Sequence, residues 1–526
     1  MRRLGILLSA LVPAVMIAGC SGNAGAPIPS SPGTAAVPFD RETGMTAGAK
    51  LFHFRHTPAY PPPRRHHITG AERARARLAG WTPVTSKAPW TNGPGTEIQM
   101  TNGTVFVQDY CTPNWYSLTP DKTGNYVNGT WTKMGSMPSS YGPLYFGSAV
   151  LADGKLIVNG GEYNFCHSAE TNLGAIYDPA TNAWTAVTGP SGWSQIGDAS
   201  SIVLANDTYM LGNCCTSNQA LLNESSMTWT QIGTGKHDTN SEEGWTLLRN
   251  GDVLTADVFS APNSEYYDPT ANTWQTAGNL MSLVQCTEMG PQTMRPNNTV
   301  WVAGANGKSA VYNANTKVWT TGPSFPSGID VADGPSSVLP NGQVMIAASP
   351  GCYNAPTTFY LFNGTALNSL TAPPNAPNDS SYNVRLLVLP TGQILETDGS
   401  TDVEIYSSTA ALRHHSTAPS ISSVPSSLAP GTTYTVTGRR FNGWTQANFY
   451  GDDVQSATNY PLLRIVNNST GHVFYCKTHN HSFMGIGSSM TVSTKFDVPS
   501  GIETGASTLY VVVNGIQSAG VSVTVT

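Results

Sequence analysis

The chain has 526 residues, 11% of them charged, with a formal net charge of −6, 52 glycines and 37 prolines. That length exceeds what one ordinary core supports, so two or more cores are expected. The composition suits short strands joined by tight turns rather than helices, the mild acidity argues against a polyanion partner, and no basic aromatic stripe points to nucleic acid.

Arg2-Arg3 precedes an apolar stretch from Leu4 to Ile17 and then Ala18-Gly19-Cys20, the pattern of an export signal. Ile17-Ala18-Gly19-Cys20 resembles a bacterial lipobox. The resemblance implies removal of residues 1–19 and a diacylglyceryl thioether on Cys20, which would hold the chain to a lipid bilayer. An ordinary secretory signal cleaved nearby is the alternative, and both readings export the protein. Ser21 follows Cys20, which in a Gram-negative host favours the outer membrane, so a bacterial cell surface or outer membrane is the expected location. No later run of about 18 apolar residues predicts a spanning helix. Seven cysteines follow Cys20. Export permits disulfides, and an odd count leaves at least one cysteine unpaired or paired between chains. The adjacent Cys214 and Cys215 pair either with each other or with two different partners.

Residues 20–80 read as a flexible tether, rich at first in Ser, Gly, Pro and Ala. A basic run follows (His53, Arg55, His56, Arg64, Arg65, His66 and His67), read as solvated linker, and then a short helix over 71–78.

From residue 81 the chain repeats. Trp184, Trp229, Trp274 and Trp319 head similar phrases at a constant spacing of 45 residues, a period that marks a stacked or circular array. Seven turn pairs precede apolar runs: Asn102-Gly103, Asp153-Gly154, Asn206-Asp207, Asn250-Gly251, Asn297-Asn298, Asn341-Gly342 and Thr391-Gly392. Residues that tolerate positive φ suit a two-residue hairpin at each. Tyr177-Asp178-Pro179 and Tyr267-Asp268-Pro269 then lead into the Trp strands. Each unit is read as four strands. The seventh unit ends near Tyr406 with no Trp strand of its own, and Trp81-Thr82-Pro83-Val84 lies orphaned ahead of the first turn. This segment is therefore expected to supply the missing outer strand and close a ring. Turn-Gly, Gly160-Gly161, Tyr-Asp-Pro and Trp together resemble the kelch repeat, which implies a seven-bladed β-propeller over residues 81–416.

Beyond residue 417 the pattern changes to alternating strands at sandwich spacing, as in Tyr434-Thr435-Val436-Thr437-Gly438 and Leu509-Tyr510-Val511-Val512-Val513. Residues 417–526 are read as an immunoglobulin-like β-sandwich, so the chain as a whole is expected to be all-β. Gly451-Asp452-Asp453, Tyr460-Pro461-Leu462-Leu463-Arg464 and Thr478-His479 resemble the C-terminal domain of the galactose oxidase and glyoxal oxidase family.

Counting back eight positions from each turn gives the residues expected to line the channel mouth: Pro94, Tyr145, Asp198, Glu242, Met289, Asp333 and Asn383, with Tyr382, Glu243 and Glu288 beside them. Asp198, Glu242, Asp333 and Asn383 together suit a polyhydroxyl ligand or a cation, since buried charges need partners; solvated carboxylates at a wet channel mouth are the plain alternative. The family resemblance implies a copper-radical site in which Tyr145 is the cross-linked Tyr, Tyr382 the axial Tyr and His479 a loop ligand. Two positions fail: no cysteine lies near Pro94, and the His expected after Tyr382 is Asn383. An amide oxygen is a poor ligand for Cu(II), so copper-radical oxidation is disfavoured. His479 and His481, two apart on a strand, share a face. They read either as ordinary hydrogen-bonded histidines or, with Asp333 and Asn383, as a site for Zn, Mn or Fe(II). No cofactor is assigned. The expected function is a monomeric binding module for carbohydrate or protein at the cell surface, with a galactose oxidase-like or other metal-dependent oxidoreductase as the alternative.

Overall fold

The computed structural model describes residues 68–408, 417–450 and 456–526. The signal segment, Cys20, the basic run of the tether and Gly451-Asp452-Asp453 lie outside the described residues. A helix Gly70–Leu78 opens the described chain, started by a capping box in which Thr69 and Glu72 satisfy each other's backbone N–H groups.

The other regular elements of the described residues are strands, apart from the single 3₁₀ turns Ala376–Asn378 and Ser381–Asn383. Seven antiparallel sheets, each with a four-strand core, follow one another among the described residues. Their first strands are Pro94–Gln99, Gly147–Val150, Ser201–Val203, Thr246–Leu247, Gln292–Met294, Pro335–Val338 and Arg385–Val388. The strand Pro335–Val338 lies beside Arg385–Val388, and Arg385–Val388 lies beside Pro94–Gln99. The last sheet thus returns to the first, and the order is cyclic and propeller-like. The seventh sheet is completed by Trp81–Pro83, antiparallel to Val403–Tyr406 with Trp81 opposite Tyr406. The orphan phrase therefore closes the ring as its sequence predicts.

Local chemistry accounts for the repeat. In all seven hairpin turns the second residue of the pair is left-handed: Gly103, Gly154, Asp207, Gly251, Asn298, Gly342 and Gly392 have φ between 66° and 95°. The first residue is not left-handed, so the two-residue hairpin expected from sequence is replaced by a type I turn with a following bulge. Gly103 N–H donates to Met100 O at 3.0 Å and Met100 N–H to Thr104 O at 2.8 Å, a pattern that recurs at Leu151 and Leu389. The leading Asn or Asp reinforces it: Asn102 Oδ1 accepts from Thr104 N, and Asp153 Oδ1 from Lys155 N.

The Trp phrases form outer strands and join neighbours. Trp184, Trp274 and Trp319 stand opposite Tyr177, Tyr267 and Tyr312 in register, with ring centroids 5.0 to 5.6 Å apart. Each of three indoles donates to the preceding sheet: Trp229 to Thr188 O, Trp274 to Gln219 Oε1 and Trp319 to Ser264 Oγ. Trp81 does the same to Thr371 O, at 2.7 Å. The core is accordingly spread between sheets; one buried cluster joins Trp245, Leu254 and Trp274 of the fourth sheet to Met294, Val300 and Tyr312 of the fifth.

Beyond residue 417 the described strands, Asn448–Tyr450 apart, form one continuous nine-stranded sheet. Val473–His479 changes partner midway. Val473 to Cys476 pair with Leu463 to Val466, whereas Lys477 to His479 pair with Lys495 to Asp497. Val436 and Phe496 from one part of the sheet meet Leu463, Ile465, Leu509 and Val511 from the other in a single buried cluster.

Candidate functional site

The hairpin turns and the strand starts occupy opposite faces of the ring. The C-terminal sheet covers the turn face: His481 N–H donates to Ala152 O, Met484 N–H to Ala205 O, and Gln446 Oε1 accepts from Leu247 N–H. A short strand, Asn448–Tyr450, pairs with Pro335–Val338 and also lies against Gln292–Met294 and Arg385–Val388. It therefore sits among the first strands of three sheets, inside the ring. Asn448 Oδ1 accepts from Val388 N–H at 2.9 Å and Asn448 Nδ2 donates to Ser456 O at 3.2 Å.

The strand-start face holds the residues picked from sequence. Tyr145, Glu242 and Asp333 share a left-handed backbone, with φ of 52°, 60° and 38°. For non-glycine residues that conformation costs roughly 1–2 kcal/mol each, and its recurrence at one register turns these residues the same way in three sheets. Asp198, Glu288 and Asp333 are buried, and Glu242 and Asn383 are half-buried. Tyr145 and Tyr382 belong to one buried cluster with Tyr110, Tyr163 and Tyr353. Tyr353 meets Tyr382 edge-on at 5.9 Å. Two disulfides, Cys111–Cys166 and Cys286–Cys352, border the cluster and tie neighbouring sheets together. Cys214–Cys215 forms a third bond, beside Glu170, and Cys476 is a buried free thiol. Asp330 holds one rim in place by accepting the Cys352 N–H on both carboxylate oxygens; burial pushes its pKa up to about 6.

Sequence reasoning missed Arg385. It is buried, donates from Nη1 to Tyr382 O at 2.7 Å and to Val384 O at 2.9 Å, and its guanidinium stands 6.0 Å from the Tyr145 ring. It links the two tyrosines singled out from sequence. A charged residue opening the seventh first strand was the available signal, since the corresponding strands mostly start with small or apolar residues. Glu97, on the first strand of the first sheet, was also missed. Burial pushes its pKa up to about 8, against the opposing pull of Thr397 and Arg385.

The histidines lie elsewhere. His479 sits on the turn face beside Gly154, at the far end of the strand that follows Tyr145. Its ring contacts Asn480 Oδ1 and, at 3.1 Å, Asp497 Oδ1. His481 is buried, bonds Thr494 Oγ1 through Nδ1 and stacks on Tyr460. Burial pushes its pKa down to about 3, so it is neutral. His479 thus does not face Asp333 and Asn383, because Asn448–Tyr450, rather than the His479 loop, enters the ring. The residues carried over for a copper-radical centre do not fit one: the tyrosines converge, but position 383 offers an amide and His479 is engaged with Asp497 on the opposite face.

No protein-family model matches the chain. A kelch-like protein, terF, from Aspergillus terreus (strain NIH 2624 / FGSC A1156) is 28% identical over 130 residues, 24% of this chain and 26% of the relative. The chain thus matches about a quarter of that relative's length. Among solved structures, a fungal alcohol oxidase of the AA5 family in complex with copper aligns with a TM-score of 0.49 at 14% identity, covering 84% of this chain and 100% of that one. The WD40 β-propeller domain of Doa1 aligns with a TM-score of 0.40 at 10% identity, covering 63% and 98%. The described chain is nearly all-β with a cyclic set of sheets, and about a quarter of its sequence is similar to that kelch-like protein.

Proposed function

We propose that this chain is an exported binding protein, tethered to a bacterial membrane surface through an acylated Cys20. In this reading the seven sheets are the blades of a kelch-type propeller, and the C-terminal sheet is an immunoglobulin-like sandwich that closes its turn face. The ligand site is the opposite mouth, and the ligand is a cell-surface carbohydrate. The observation that carries the reading is the mouth itself. Five tyrosines and Arg385 converge there, two disulfides border them, and half-buried Glu242 and Asn383 offer an acid and an amide. Aromatic edges with a few fixed polar groups suit a polyhydroxylated ligand, and a preorganised rim lowers the entropy lost on binding. The disulfides also agree with export to an oxidising compartment.

The test is a glycan array followed by calorimetry with the best glycan. Glu242→Gln and Asn383→Ala should each weaken binding at least tenfold while the variants remain folded at the assay temperature by circular dichroism. No glycan bound by the wild type, or equal binding by both variants, would remove the reading; a captured surface protein competing at the same residues would redirect it to a protein ligand. Palmitate labelling that is lost in Cys20→Ala checks the anchor. The second reading, an oxidase-like enzyme, draws on the convergence of Tyr145 and Tyr382. Stoichiometric copper together with peroxide formation from alcohols or aldehydes would establish it instead.

A further inference from the structure

The fourth sheet buries more acid than it can neutralise. Glu243 precedes its first strand, Asp257 follows its second strand, Val253–Ala256, and Asp238 lies on the loop leading in. One carboxylate oxygen from each lies within 4.8 Å of those of the other two, and all three residues are at most 4% exposed. Glu265 adjoins them. Among the described residues one cation faces these four acids: Lys236, whose 1% exposed side chain places Nζ 2.7 Å from Glu243 Oε2 and 3.2 Å from Glu265 Oε2. Backbone N–H groups take up much of the rest. Asp238 accepts from Thr239, Phe259 and Ser260, and Glu265 from His237 and Asp238.

Asp257 is different. Neither of its carboxylate oxygens has a hydrogen-bond partner, although the residue is 1% exposed and lies against Asp238 and Glu243. Glu243 Oε1 is likewise without a partner. Buried carboxylates left in this way destabilise the fold unless a cation or a proton joins them. Lys236 is already committed to the other oxygen of Glu243 and to Glu265.

We propose that Asp238, Glu243 and Asp257 form a binding site for one Ca²⁺. The donors are all carboxylate oxygens, which select a hard cation. Oxygens up to 4.8 Å apart can be bridged by an ion that takes ligands at about 2.3–2.6 Å in flexible geometry. Mg²⁺ demands tighter octahedral spacing and keeps several waters, for which so enclosed a site is ill suited. Lys236 offsets part of the remaining negative charge from outside the ligand set. The ion would join the two strands of the sheet next to Glu242 and so stiffen one side of the mouth, although the site does not depend on any ligand binding there.

The mature protein, stripped with a chelator and dialysed into metal-free buffer, tests the site. Calorimetry should find one Ca²⁺ per chain, with Mg²⁺ much weaker. Saturating Ca²⁺ should raise the melting temperature by about 3 °C. Tb³⁺ should give sensitised emission through Trp274, whose ring is 5.0 Å from Lys236 Nζ, and Ca²⁺ should displace it. Asp257→Asn should abolish all three signals while melting no lower than the stripped wild type, because it removes an uncompensated charge. If that variant misfolds, Glu243→Gln is read in its place. A wild type with no saturable Ca²⁺ binding would show that the acids share protons instead and would overturn the proposal. Undiminished binding in a folded Asp257→Asn or Glu243→Gln variant would do the same.

Discussion

Trp274 ties two sheets with one side chain. Its ring packs on Tyr267 within the fourth sheet at 5.6 Å, and its indole N–H reaches Gln219 Oε1 of the third at 3.0 Å. Gln219 is fully buried, so the acceptor has no water to turn to when the indole is lost. Trp274→Phe keeps a ring against Tyr267 but removes the donor and some of the buried ring. We expect a loss of about 1–3 kcal/mol, the cost of a buried polar atom left unsatisfied, seen as a lower midpoint in thermal or denaturant unfolding. A loss below a few tenths of a kcal/mol would show that the indole bond does not fasten the sheets. At the same scale Arg385 explains why Tyr145 and Tyr382, far apart in sequence, lie together: its guanidinium bonds the backbone of one and faces the ring of the other.

Among the elements, Trp81–Pro83 matters out of proportion to its three residues. It pairs with Val403–Tyr406, its Trp81 is fully buried, and its indole N–H donates to Thr371 O in the sixth sheet. The helix just before it adds charge, with Arg73 Nη1 3.6 Å from Asp402 and 3.7 Å from Glu404. Without this strand the seventh sheet would present an open edge, a template for pairing with other chains. Trp81→Ala should therefore cost about 3–5 kcal/mol and increase aggregation on heating, as followed by light scattering alongside circular dichroism. A variant that melts like the wild type would mean that the strand is an accessory and not the closure. Asn448–Tyr450 plays the converse part: a strand from the C-terminal region pairs inside the ring and thereby decides what occupies its centre.

At the scale of the whole molecule, buried carboxylates set the response to pH. Burial pushes Glu97 up to about 8 from 4.5. Glu404 also rises to about 8, first through burial and then through Asp402. A raised carboxyl pKa means that the folded state keeps a proton the unfolded chain has already lost. Stability therefore falls as pH climbs from about 4.5 to about 8 and levels off above both values. The melting temperature should decline across that window, and Glu97→Gln should remove part of the decline. A flat profile in the wild type would contradict the assignment. The C-terminal sheet belongs to the same scale, because its contacts with turns of the first, second, third and fourth sheets make the turn face an internal surface.

What could be read from the sequence follows a simple physical division. The period, the left-handed turn residues and the closing role of Trp81 were all legible, because each rests on local backbone preference or strand patterning that repeats along the chain. The shared register of Tyr145, Glu242 and Asp333 was legible for the same reason. The hairpin type was misread because an Asn-Gly pair suits more than one turn, and the choice depends on the bulge that the following strand accepts. Which side chains meet across the ring was not legible. Arg385 joins Tyr145 to Tyr382, Lys236 faces Glu243 and Glu265, and Asp257 meets Asp238, all through packing between elements that spacing does not encode. His479 was drawn toward the mouth by resemblance, whereas the fold sends a different strand into the ring and leaves His479 with Asp497. The sequence by itself determined the repeating strands and how the ring closes, since those depend on neighbours in the chain. Only the tertiary structure decided what fills the centre and which charges are buried together, since those depend on neighbours in space.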